Sequence, residues 1–133
     1  MSAVCVLLID DEPDTDELFR QHFRRSIRAG EMLIVFARSA DEALAHLASG
    51  EPPVPTLVLS DIKMPGRSGL DLLREIRPAY PDLPVYMVSA FGGSGVEAEV
   101  RAAGADGFFT KPIDLDRLGE VIAARLPSAA NAS

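Results

Sequence analysis

Five residues scattered along this chain carry side chains able to do chemistry on a charged ligand: the adjacent Asp10 and Asp11, then Asp61, Ser89 and Lys111. Three carboxylates at close quarters repel one another, and without compensation at least one is driven towards its neutral form. They call for a cation. Oxygen-only donors of high charge suit a hard divalent ion, and Mg²⁺ typically takes one or two carboxylates together with waters and phosphate oxygens. A carboxylate is also a competent nucleophile towards phosphorus, giving an aspartyl phosphate. The arriving phosphoryl group would add about -2 of charge, which a divalent ion, an ammonium and a hydroxyl donor can offset. Lys111 and Ser89 supply the last two.

Taken singly, each residue has a plainer reading. Asp10 and Asp11 can cap a helix that begins near Pro13, and Asp61 can lead into a turn at Met64-Pro65-Gly66, where Pro then Gly suits type II. Ser89 can satisfy a local backbone group, and Lys111 can be an ordinary solvated lysine. The elements that carry them decide whether they meet. Apolar runs at Val4 to Ile9, Met32 to Phe36, Leu57 to Leu59 and Val85 to Val88, with a mixed run at Gly107 to Thr110, read as strands. The first, second and fourth are nearly continuous in apolar residues, which predicts cover on both faces, as in a parallel sheet between helix layers.

Helical patterns lie between them. Leu18, Phe19, Phe23 and Ile27 make one stripe after Pro13, and Ala40, Ala43, Leu44 and Leu47 make a second, opened by a Ser39/Glu42 capping box and closed at Gly50. Leu70, Leu73, Ile76 and Tyr80 form a third, Gly95 to Ala103 a short fourth, and Leu115, Leu118, Ile122 and Leu126 a fifth capped by Asp114. The count is (βα)₅, an α/β three-layer sandwich. Ligands of open parallel sheets bind at the carboxyl ends of the strands. Asp10 and Asp11 follow the first strand, Asp61 the third, Ser89 the fourth and Lys111 the fifth. In a flavodoxin-like order 2-1-3-4-5 these strands are neighbours, and the polar residues share one edge.

With 133 residues and 47% hydrophobic content the chain can bury one proper core. The domain is expected over residues 1–126, with 127–133 a flexible tail of small and polar residues. A net charge of -7 argues against direct nucleic-acid binding, which would need a separate basic domain. The lone Cys5 sits inside the first apolar run as a small buried hydrophobe, without a disulfide framework. That run is too short to insert in a membrane and has no basic residue before it, so a cytoplasmic location is expected.

The segments Leu8-Ile9-Asp10-Asp11-Glu12-Pro13, Leu59-Ser60-Asp61-Ile62-Lys63-Met64-Pro65-Gly66, Val88-Ser89-Ala90 and Thr110-Lys111-Pro112 resemble the signature blocks of response-regulator receiver domains. These are the CheY-like phosphoacceptors of bacterial two-component signalling. The resemblance runs from Val4 to about Leu126 and implies a role for each matching position. Asp61 matches the phosphoacceptor, loaded by a sensor histidine kinase or a histidine phosphotransfer protein. Asp10 and Asp11 match the acidic pair that holds Mg²⁺ with Asp61, Asp11 being the more direct ligand, and the backbone carbonyl of Lys63 matches the third protein ligand. Ser89 matches the hydroxyl that moves to the phosphoryl group, Lys111 the lysine that pairs with it, and Phe108 the aromatic switch whose ring turns inward when Ser89 moves. The Lys111–Pro112 peptide bond is expected to be cis. Phosphorylation would tip an equilibrium between two loop arrangements, read out on the surface of the fourth helix, fifth strand and fifth helix by a partner or by a second copy of the chain.

Ala90-Phe91-Gly92-Gly93-Ser94-Gly95 departs from the polar or acidic residues usual in that family. Lys63 and Phe91 stand where the family tunes access of the hydrolytic water, so slow self-catalysed dephosphorylation is expected; the plainer reading packs Phe91 on its loop and leaves Lys63 in solvent. A haloacid dehalogenase-type phosphohydrolase would need a second Asp two residues after its nucleophile, where Asp61 is followed by Lys63. A flavodoxin would need hydroxyls and glycines where Asp10-Asp11-Glu12 stands. A receiver-like interaction module that is never phosphorylated is the third alternative. The short run beyond the fifth helix suggests a stand-alone regulator, or a linker to a further domain.

Overall fold

Successive side chains along each strand point to opposite faces of the sheet, and the apolar ones build two separate layers of core. In the computed structural model, which describes residues 3–64, 66–90 and 94–124, the strands are β1 (Val4–Ile9), β2 (Met32–Ala37), β3 (Leu57–Asp61), β4 (Val85–Ser89) and β5 (Gly107–Thr110). They form one parallel sheet in the order β2-β1-β3-β4-β5. Helices α1 (Pro13–His22), α2 (Arg24–Arg28), α3 (Ala40–Ser49), α4 (Gly69–Ala79), α5 (Ser94–Ala102) and α6 (Leu115–Ala123) complete a flavodoxin-like α/β sandwich. Leu7, Ile9, Val58, Met87 and Phe108 face the core shared with α3, α4 and α5. Val4, Val6, Leu8, Leu59 and Phe109 face the one shared with α1 and α6. Each such side chain, fully buried, contributes about 1.5–3 kcal/mol.

Three expectations are corrected. The first helical stripe is one run bent at Phe23, whose φ of -99° and ψ of 20° leave the helical basin while Phe23 still donates to Phe19 O and Ile27 to Phe23 O, each at 3.0 Å. Phe19 and Phe23 are buried, but Leu18, one step round the helix, is 54% exposed and lies outside the stripe. On β2 both faces are not covered: Leu33 is exposed because β2 is an edge strand. Ser39 does cap α3 by accepting from Glu42 N, but the Glu42 carboxylate reaches Arg38 N instead of the cap residue, so the box closes one residue early.

A reciprocal box opens α4: Ser68 Oγ accepts from Asp71 N at 3.1 Å, and Asp71 Oδ2 accepts from Ser68 N at 3.3 Å. Gly50, at φ 66°, closes α3 in the left-handed region that glycine tolerates. Asp114 caps α6 through Arg117 N, as its sequence position predicts.

The outer edge of β2 carries one more contact. Val4 N donates to Glu31 O and Asp10 N to Ala37 O, so the odd-numbered carbonyls of this strand point at β1 and the even-numbered ones point outward. Arg20 reaches over from α1 and donates through Nη2 to the outward carbonyl of Ile34 at 3.0 Å, its Nε held by Asp16 at 2.7 Å.

Candidate functional site

At the carboxyl edge of the sheet the strand ends deliver polar side chains into a common space. β1 passes directly into Asp10, which is 4% exposed; its Oδ1 accepts from Glu12 N at 3.0 Å, while its Oδ2 lies 4.0 Å from Lys111 Nζ. Asp10 therefore secures the turn into α1, whose N-cap Glu12 makes no side-chain cap. The plainer reading and the site reading use different oxygens of one carboxylate.

Asp61 ends β3 and is 6% exposed. Its Oδ1 accepts from Lys63 N at 3.2 Å and its Oδ2 from Lys111 Nζ at 2.6 Å. One ligand atom from each of Asp10, Asp11 and Asp61 lies within 4.8 Å of the others, with Asp11 the most open of the three. Lys111 follows β5, and its backbone N–H donates to Ser89 O at 2.9 Å, locking the ends of β4 and β5 together. Burial pulls the Lys111 ammonium down, but the hydrogen bond and charge of Asp61, joined by the charges of Asp10 and Glu12, outweigh it and raise its pKa.

Asp10, Asp11, Asp61 and Lys111 are thus gathered as the strand-end argument predicts. Ser89 is buried at the end of β4, and the Lys111–Pro112 bond is cis. Lys63 is exposed, with its backbone N–H tied to Asp61. Phe108 is 6% exposed and packs in the core beside Met87, its register partner, so its ring is inward in this structure. Phe91 lies outside the described residues, as do Leu126 of the fifth helical stripe and the tail 127–133. The histidines belong elsewhere: His46 lies 2.9 Å from Pro53 O, and His22 lies 3.5 Å from Asp116.

Two residues at the site carry no signal that side-chain chemistry could detect. Ser60 is buried and donates through Oγ to the Asp61 carbonyl at 3.0 Å. Gly69, first residue of α4, is buried against that same carbonyl, and its N–H donates to Ile62 O at 2.7 Å.

An acidic cluster suits a hard cation when its oxygens are close and not already consumed by cations. Here three carboxylates lie close together and Lys111 pairs with two of them, a donor set that fits Mg²⁺. Fold and site together define a parallel α/β domain with a carboxylate-centred pocket at its sheet edge. The chain belongs to the response regulator receiver domain family, whose sequence profile matches residues 6–123. It is 40% identical over 128 residues to the response regulator protein PilR of Pseudomonas aeruginosa, covering 95% of this chain and 27% of PilR. The C4-dicarboxylate transport transcriptional regulatory protein DctD of Rhizobium meliloti is 38% identical over 117 residues, covering 88% of this chain and 24% of DctD. The chain therefore spans about a quarter of each of these relatives.

Solved structures agree. A response regulator receiver protein from Pseudomonas putida superimposes with a TM-score of 0.80 at 28% identity, covering 93% of this chain and 98% of that one. Response regulator TrrA from Thermotoga maritima, in complex with Mg(2+)-BeF, gives a TM-score of 0.75 at 30% identity, covering 91% and 97%. Among the described residues no helix is long and apolar enough to cross a membrane.

Proposed function

We propose that this receiver domain takes a phosphoryl group on Asp61 from a histidine kinase or a histidine phosphotransfer protein. The observation that carries the reading is the pairing of a nearly buried Asp61 with Lys111 Nζ at 2.6 Å inside a cluster of three carboxylates. An Asp61 oxygen would form the new O–P bond as the donor's P–N bond breaks, the electron pair leaving with the donor imidazole. Asp10, Asp11 and Asp61, with the Lys63 carbonyl, are the residues that would hold Mg²⁺. That ion would supply positive charge against the transferred phosphoryl oxygens. Lys111 would move from its carboxylate contact to the phosphoryl group, and Ser89 would donate to it through its hydroxyl.

The Asp61 contact that pushes the Lys111 amine upward shows how strongly this site favours a positive charge beside the acceptor carboxylate. Ser89 and Phe108 would convert the new charge into a change on the α5-β5-α6 surface, where a protein partner or a second copy binds. Hydrolysis of the acyl phosphate by the domain's own site would end the signal, slowed by Lys63 and Phe91.

The test is direct: incubation with Mg²⁺ and acetyl phosphate should add one phosphoryl group by intact mass, and Asp61→Asn should add none. Failure of the wild-type chain to gain mass would favour an interaction module that is never phosphorylated. In the same samples the label should decay faster in Phe91→Ala than in wild type, and equal decay would remove Phe91 from the account.

A further inference from the structure

Gly69 begins α4 with nothing in its backbone that demands glycine: its φ is not among the positive values found at Gly30, Gly50, Gly66 and Gly104. At a first helical position alanine suits the helix better than glycine, by as much as about 1 kcal/mol in a helix interior. What excludes alanine is space. A Cβ built on Gly69 would lie 2.1 Å from the Asp61 carbonyl oxygen, 2.9 Å from Ile62 Cα and 2.8 Å from Met87 Cε. The first two are main-chain atoms at the end of β3 and cannot swing aside as a side-chain tip can. The Asp61 carbonyl is also the acceptor of the Ser60 hydroxyl at 3.0 Å, and Gly69 N–H is bonded to the next carbonyl, Ile62 O, at 2.7 Å.

We propose that Gly69 and Ser60 are positioning residues for Asp61: a missing side chain on one and a hydroxyl on the other clamp its main-chain carbonyl, and so fix where its carboxylate projects. The clamp acts on the backbone of the reacting residue and touches neither phosphoryl donor nor metal. Met87 fills the remaining space beside Gly69 and lies next to Phe108 in the sheet, so the same small volume is bounded by the phosphoacceptor strand and by the strand pair carrying the aromatic ring.

The inference rests on Asp61 being the phosphoacceptor, and the experiment separates the two. Labelling rates with saturating acetyl phosphate and Mg²⁺ are measured by intact mass for wild type, Gly69→Ala, Met87→Leu, the double variant and Ser60→Ala, with thermal midpoints alongside. Gly69→Ala should label about 10- to 100-fold more slowly, the scale on which a displacement of about 1 Å affects reacting groups. Met87→Leu removes only the Cε contact and should label near the wild-type rate. The double variant should stay as slow as Gly69→Ala, because the clash with the Asp61 carbonyl persists. Ser60→Ala adds no volume and should slow labelling about fivefold, the worth of one hydrogen bond; it decides the matter if Gly69→Ala does not fold. Rescue of Gly69→Ala by Met87→Leu would show simple overpacking of the core and overturn the proposal, as would wild-type rates in Gly69→Ala or, where that variant does not fold, in Ser60→Ala. Absence of labelling in wild type would instead refute the assignment of Asp61.

Discussion

Lys111 stands 2.6 Å from Asp61 and 4.0 Å from Asp10, at the one place where its charge relieves both nearly buried carboxylates. Removing one partner of a buried ion pair leaves an uncompensated charge and costs about 3–5 kcal/mol. The Lys111 side chain is 33% exposed, so solvent screens part of that effect. Lys111→Ala is therefore expected to lose about 1–3 kcal/mol in urea unfolding at low ionic strength without Mg²⁺, and Mg²⁺ should restore most of it. An unchanged midpoint in Mg²⁺-free buffer would show that the three carboxylates do not strain the fold. Asp10, Asp11, Asp61 and Lys111 were legible in the sequence because their chemistry lies in side chains at predicted strand ends. Gly69 and Ser60 were not, because one acts by lacking an atom and the other by bonding a main-chain oxygen. Such contacts appear only once two elements are placed together.

Elements were legible where periodicity and end signals agreed. Gly50 and Asp114 ended or opened helices as their residue types dictate, whereas the bend at Phe23 involves neither proline nor glycine and leaves no mark in the pattern. Leu18 was misplaced because its apolar type fits a stripe that the helix turns away from the sheet. The cap of α4 is written in Ser68-Gly69-Leu70-Asp71, just beyond a Pro65-Gly66 pair whose residue types signal a turn. Because both halves of that box are made, Ser68→Ala should cost about 1 kcal/mol. In urea this should appear as a lower midpoint with an unchanged slope; a midpoint equal to wild type would mean that packing of Leu72, Leu73 and Ile76 alone sets where α4 begins.

Across the whole molecule, the order of the strands followed from the flavodoxin-like arrangement that places all the polar strand ends together. The division of the core followed from side-chain alternation. Which edge would be covered was not legible, since Met32 to Phe36 reads as fully apolar whether the strand is central or terminal. The structure puts β2 at one edge and β5 at the other, and Arg20 occupies the outward Ile34 carbonyl of β2. Unpaired edge groups are templates for another chain's strand. Arg20→Ala should accordingly add concentration-dependent self-association in sedimentation velocity beyond anything wild type shows, and identical sedimentation across concentrations would refute this. The two ends of the sheet are then unequal: β5 lies within the surface proposed to change with phosphorylation, while at β2 a guanidinium stands in for the next strand. If Arg20 keeps a further strand from adding at β2, the α5-β5-α6 face proposed above is where a second copy of the chain would meet the signal.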